Sequence, residues 1–286
     1  MSEKKFKYVN PKPVRFGQAT DRISEHSVPL YRCGPHVWNV GGQDDVAVYL
    51  LDTGEGLILI DTGYTESVFL VVHNIWKLGF NPENIKKILL THYHGDHVNG
   101  VASLVHISHA EVWLSKEDER MHQLYCRADR HGMHTAPYQV TNFYDDNTPI
   151  VLGRFTIETK LTPGHAPGCT SFFFEDTDEE TGKTYRCAVH GGLGIAYMRP
   201  DMLANQDQTE EAAHRFVKDC LELAERPVDI NMPSHLNQAD IDNNLPEDLN
   251  DYTWFVADYS WHDMLVNRAE AVKRFWPDRY PEYQKN

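Results

Sequence analysis

From Val46 onward the chain alternates apolar runs with turn residues: VAVYLL, then DTGEG, then LILID. Two apolar runs around a glycine-containing turn predict a β-hairpin. In YTESVFLVVHNIWKLG, residues Val68, Val71, Val72, Ile75, Trp76 and Leu78 recur near the helical period, and Gly79 supplies a stop. Asn81-Pro82 restarts the chain, and a strand over Ile88 to Leu90 follows. A helix is expected in HVNGVASLVHI and a short strand at EVWL (111–114). Another helix should start at SKED (115–118), which resembles a capping box with Asp in place of Glu. Residues 127–149 hold no clean period and read as a surface excursion. Strand patterns return at RFTIETKL, TSFFFED and TYRCAVH. The segment TEEAAHRFVKDCLELAE then places Ala213, Phe216, Val217, Cys220, Leu221 and Ala224 on one helical face. VDINM leads into PSHLNQ, and a Trp-rich, helical pattern closes the chain. Strands and helices interspersed in this way, with no internal repeat, favour one α/β domain over residues 1–286. Residues 1–35 read as an N-terminal arm and 117–150 as a lid-like excursion.

The chemistry gathers where these strands end. LLTHYHGDHVNG puts His92, His94, Asp96 and His97 within six positions, directly after a strand. Two imidazoles at i and i+2 converge only where the chain leaves regular structure, and Gly95 helps such a turn to close. Further on, LTPGHAPGCT places His165 in a Pro/Gly loop between strands, AVHGGLG places His190 at a strand end, and NMPSHLNQ places His235 at another. A lone histidine is usually a surface or satisfied core residue. Four loops sharing one grammar argue for a shared metal centre. A structural zinc site would call for cysteines and four closed ligands, whereas nitrogen and carboxylate donors suit a catalytic zinc, iron or manganese. The other histidines read as structural or solvated, with His131 and His134 as residues that could line an entrance.

Composition narrows the partners. Apolar residues at 41% and charged residues at 24% describe an ordinary globular chain. A balance of 27 basic against 42 acidic residues, −15 overall, repels phosphate backbones and argues against nucleic acid. The five cysteines have no C-x-x-C spacing and read as reduced thiols. No apolar run approaches a membrane span, and the first residues lack the apolar core of a secretory signal, so a cytoplasmic protein is expected.

THYHGDH followed by TPGHAPG resembles the metallo-β-lactamase superfamily, and LILIDTG is similar to that family's early strand. The resemblance implies a four-layer αβ/βα sandwich with a metal site at one edge between two sheets. Carried over by position, His92, His94 and His165 would hold a first ion. Asp96, His97 and His235 would hold a second, with Asp61 orienting a ligand from behind. At position 190 most hydrolases of the superfamily, such as glyoxalase II and the quorum-quenching lactonases, carry a bridging Asp. His190 cannot bridge two ions, which makes the pattern similar to the metallo-β-lactamases with an Asp-His-His second site. His190 is then expected either as an extra ligand or as a donor to the substrate or the hydroxide.

The resemblance implies a hydrolase with two divalent ions, zinc in first place and iron or manganese as alternatives. A metal-bound hydroxide would open a small cyclic ester or amide, a lactone or a β-lactam-like ring. Asp96 is the expected proton carrier, with His190 or Tyr197 donating to the oxyanion. Two alternatives stay open: a mononuclear iron dioxygenase acting on thiols or persulfides, and a glyoxalase II-like thioester hydrolase. The expected partner is a small molecule, with a homo-oligomer left open. Met121, Tyr125, Met133, His134, Tyr138, Phe143 and Tyr144 would form either an aromatic lid or a dimer contact.

Overall fold

The computed structural model describes residues 27–127 and 136–284. The expected arm therefore falls largely outside the described residues. So do His131, Met133 and His134, together with the side chain of Tyr125.

The chain enters through β1 (Tyr31–Gly34) and β2 (Val37–Asn39), then forms the expected hairpin from β3 (Tyr49–Asp52) and β4 (Leu57–Ile60). Helix α1 (Val68–Lys77) crosses over to β5 (Ile85–Leu89), which lies parallel to β4. The short helix α2 (Gly95–Val98), then α3 (Val101–Ser108), lead to β6 (Glu111–Leu114). Helix α4 (Lys116–Arg127) begins where SKED predicts it. The expected excursion contributes β7 (Asn142–Phe143), which extends the first sheet beside β6. Among the described residues the first sheet runs β1-β2-β3-β4-β5-β6-β7.

The second sheet is built from β8 (Ile150–Leu152), β9 (Phe155–Leu161), β10 (Thr170–Asp178) and β11 (Lys183–Val189). After helix α5 (Glu210–Ala224), β12 (Ile230–Asn231) joins it parallel to β11, and α6 (Ser260–Lys273) follows. Its order is β12-β11-β10-β9-β8.

Side-chain alternation explains the layering, because successive strand residues face opposite sides. Tyr49, Leu51, Ile58, Ile60 and Leu89 of the first sheet share one core with Phe155, Ile157, Phe172, Phe174, Cys187 and Val189 of the second. The intervening residues Leu50, Leu57, Leu59 and Ile88 pack against Val71 and Ile75 of α1 and Val101 and Leu104 of α3. Beyond the second sheet lie α5 and α6, whose buried faces include Phe216, Cys220, Trp261 and Leu265. Each fully buried Leu or Ile contributes about 1.5–3 kcal/mol. The result is the expected order of helices, sheet, sheet, helices. Five of the six residues expected on the inner face of α5 are buried; Leu221 is partly exposed.

Gly153, in the tight turn between β8 and β9, has φ +50, and a Cβ there would stand 2.0 Å from the Thr53 carbonyl oxygen. The turn couples the two sheets, since the Arg154 N–H donates to that same carbonyl at 3.0 Å.

The lid-like residues have other work. Met121 is buried with Tyr93, Ala166 and Cys169. Tyr138 stacks on His122, with ring centroids 3.9 Å apart. The Tyr144 hydroxyl lies within 3.0 Å of the Leu90 carbonyl and 2.8 Å of the Trp113 carbonyl, which fastens it to the first sheet. Only Phe143 of the described set is exposed.

Candidate metal centre

The ends of β4, β5, β11 and β12 and the β9–β10 loop meet at one edge of the sandwich. His92, His94 and His165 converge there, with their ligand-type nitrogens within 4.8 Å of one another. Asp96, His97 and His235 form a second group by the same measure. The His92 and His97 rings are 4.0 Å apart, so the two groups stand side by side.

Each ring has its outer nitrogen engaged. The Nδ1 of His97 is 2.7 Å from Asp61 Oδ2, and the Nδ1 of His235 is 2.7 Å from Asp45 Oδ1. His165 Nδ1 meets the Gly194 carbonyl at 2.8 Å, and His94 Nε2 meets Gln206 Oε1 at 3.3 Å. For His92 the partner of Nδ1 is the Thr91 hydroxyl at 3.0 Å; that hydroxyl also meets Asp61 at 2.8 Å. Partners of this kind fix the tautomer and the ring orientation of metal-ligating histidines.

The inner nitrogens are what the fold leaves over. His92 Nε2 is buried without a hydrogen-bond partner. His94 Nδ1 and His165 Nε2 face each other at 3.0 Å. With the outer nitrogens donating, both inner atoms present lone pairs. Burial pushes the His94 imidazole down to about 4 and lowers His92 and His165 as well, so none of the three supplies a proton at neutral pH. A cation between three converging lone pairs resolves that arrangement.

In the second group the demand is for positive charge. Burial opposes a charge on His97, but the carboxylates of Asp96 and Asp61 outweigh it and push the imidazole up to about 10. Burial likewise opposes charge on Asp96, yet the neighbouring His97 and His235 hold its carboxyl far below the usual range. Both donor sets, all nitrogen and carboxylate with no thiolate, fit a divalent ion of the zinc type.

Asp61 lies beside His97 and Thr91. It adopts φ +61, accepts from the Thr91 N–H at 2.8 Å, and is 1% exposed. Tyr197 borders the first group, its ring 5.7 Å from His94 and 5.8 Å from His165.

His190 departs from expectation. It belongs to neither group. It is fully buried, with its ring 6.1 Å from Phe216 and 6.2 Å from Trp261. Val189 points into the shared core, so strand alternation turns His190 the other way, towards the helical layer. Burial lowers its pKa to about 3, and the charged group acting on it is Arg268 rather than any residue of the centre. The expectation of His190 as ligand or donor is therefore corrected.

Four contributors escaped the sequence reading: Asp45, Thr91, Gln206 and the Gly194 carbonyl. Asp45, 4% exposed, lies 190 residues from its histidine, and nothing in GGQDDV marks it. Thr91 alone had a local signal, since it adjoins His92.

A four-layer sandwich carrying two adjoining histidine-rich donor groups at its edge defines a class of metalloproteins. Residues 41–178, a little under half of the chain, match the family model of the metallo-beta-lactamase superfamily. Over 93 residues it is 31% identical to the probable polyketide biosynthesis zinc-dependent hydrolase PksB of Bacillus subtilis (strain 168), covering 32% of this chain and 36% of that one. It is 30% identical over 131 residues to the atrochrysone carboxyl ACP thioesterase of Passalora fulva, covering 46% and 34%. The matched stretches thus span roughly a third of these curated relatives' own length. The solved metallo-beta-lactamase GOB-18 from Elizabethkingia meningoseptica superposes with a TM-score of 0.78 at 24% identity, over 95% of this chain and 99% of that one. That likeness speaks for the fold.

Proposed function

We propose that the protein is a metal-dependent hydrolase of small carbonyl substrates, with a dinuclear zinc centre. The single observation that carries this reading is the pairing of two complete donor groups side by side, each with its outer nitrogens already engaged. His92, His94 and His165 would hold one ion, and Asp96, His97 and His235 the other. Ions so held lower the pKa of water and polarise a carbonyl.

The chain's own residues complete the chemistry. Asp96 is 13% exposed, with Oδ2 3.3 Å from both His97 Nε2 and His235 Nε2. Its carboxylate would take a proton from the nucleophile and pass it to the leaving atom. Tyr197, whose ring edges the first group, would orient the substrate or donate to a developing oxyanion. Asp61, Asp45, Gln206, Thr91 and the Gly194 carbonyl hold the imidazoles in their productive rotamers.

A small cyclic ester or amide is the favoured substrate class. Thioesters form a second reading, favoured by the thioesterase named among the relatives. The dioxygenase alternative needs only one ion, and the completeness of the second donor group weighs against it. Elemental analysis of protein purified without added metal, with a parallel screen of a lactam, a lactone and a thioester, tests the proposal. About two zinc ions per chain with hydrolysis of one class is the expected result. One iron per chain, no hydrolysis and oxygen consumption with a thiol would overturn it.

A further inference from the structure

Helix α4 starts at SKED, and only half of a capping box forms there. The Ser115 hydroxyl accepts from the Asp118 N–H at 3.1 Å. The Asp118 carboxylate leaves its own helix instead. Oδ2 accepts from the backbone N–H of Tyr93 at 3.0 Å, and Oδ1 accepts from the backbone N–H of Gly168 at 2.6 Å. Tyr93 stands between His92 and His94, while Gly168 closes the loop that carries His165. One fully buried carboxylate thus grips, one oxygen each, the two loops whose three histidines form the first donor group.

The contact is close enough to dictate the residue at 168. A Cβ on Gly168 would lie 2.0 Å from Ser115 Oγ and 2.7 Å from Asp118 Cγ. Tyr93, Met121, Ala166 and Cys169, which come from the same turn, helix and loop, pack as a small buried apolar cluster. The second donor group is anchored elsewhere, through Asp61 to His97 and Asp45 to His235.

We propose that Asp118 is a positioning residue for the first ion, setting the spacing between the His92–His94 turn and the His165 loop. The inference rests on the dinuclear reading given above. Asp118 touches neither ion nor substrate, and its effect is transmitted through two backbone amides.

The substitution Asp118→Asn keeps the shape and removes one of the two acceptors. Zinc affinities are read by competition with a chromogenic chelator on the full chain, alongside the melting temperature of the metal-free protein. The expected result is a loss of roughly tenfold at the first ion, the low end of what a direct partner of a ligand is worth because Asp118 acts through backbone amides, with less than about threefold change at the second. Equal weakening of both ions, or no weakening, overturns the proposal, since a merely structural residue would lower stability without choosing between them. If the Asn variant does not fold, Ser115→Ala is used; it frees the N–H of residue 118 and keeps the carboxylate. Selective weakening of the first ion then supports the clamp, and its absence refutes it. Wild-type protein that binds no zinc under these conditions would overturn the dinuclear reading and the clamp with it. Wild-type loading with two ions and unaltered loading in the variants would overturn the clamp alone.

Discussion

Removing the carboxylate of Asp45 should weaken the second ion and spare the first. The His235 ring is held at Nδ1 by Asp45 Oδ1 at 2.7 Å. The backbone around it has separate supports: Leu236 N–H donates to the Asp45 carbonyl at 2.9 Å, and Ala47 N–H donates to the Ser234 carbonyl at 2.9 Å. The loop therefore stays in place in Asp45→Ala, and the ring loses only its orientation and its basic partner. Outer partners of metal-bound histidines are worth ~10–100-fold in affinity, or about 1.4–2.7 kcal/mol. The Ala variant belongs at the upper end, because the Tyr64 hydroxyl, 2.6 Å from Asp45 Oδ2, also loses its acceptor. Asp45→Asn keeps an oxygen for His235 and an amide for the Tyr64 oxygen, losing the charge alone, so about tenfold is expected. Stepwise zinc competition against a chromogenic chelator separates the two constants. Ala and Asn variants that bind like the wild type, or that weaken the first ion as much as the second, would refute the reasoning.

His190→Leu should leave zinc stoichiometry unchanged, because the imidazole faces Phe216 and Trp261; loss of one ion in elemental analysis would return residue 190 to the ligands. Gly153→Ala should lower stability by roughly 1–3 kcal/mol or more, from a left-handed φ and a Cβ 2.0 Å from the Thr53 carbonyl, with metal affinities intact. Unchanged denaturant midpoints would contradict that turn geometry. Cys33, Cys169, Cys187 and Cys220 are buried, and burial pushes each thiol far above its usual pKa, so native protein at pH 8 should resist iodoacetamide at all four. Peptide mapping that finds any of them alkylated before unfolding would show the packing to be looser than described.

Local pattern carried most of the architecture. The hairpin of β3 and β4 follows from two apolar runs around a glycine turn, buried on both faces, whereas the strand EVWL and the stripe of α5 each bury one face. The six clustered donors were legible because ligand-type residues recur in turns after apolar strands. His190 shares that grammar and shows its limit: one residue of strand register decides whether a side chain meets the metal edge or the helices. SKED shows another limit. The motif correctly starts a helix, yet the acidic group that would close the box is used across the fold instead. Asp45 and Gln206 were invisible for the same reason, as their partners lie 190 and 112 residues away and no spacing rule reaches so far.

The isolated pairing of Val46 with His235 joins the segment just before β3 to the last residue of the second group. A chain leaving the ribosome carries His92, His94 and His165 outside for the time needed to add 70 further residues before His235 appears. Until then Asp96 and His97 lack the third member of their group, whereas His92, His94 and His165 are already all present in the chain. The second group is therefore complete only when the C-terminal segment has docked onto the N-terminal sheet, so its integrity reports on a contact between residues far apart in the chain.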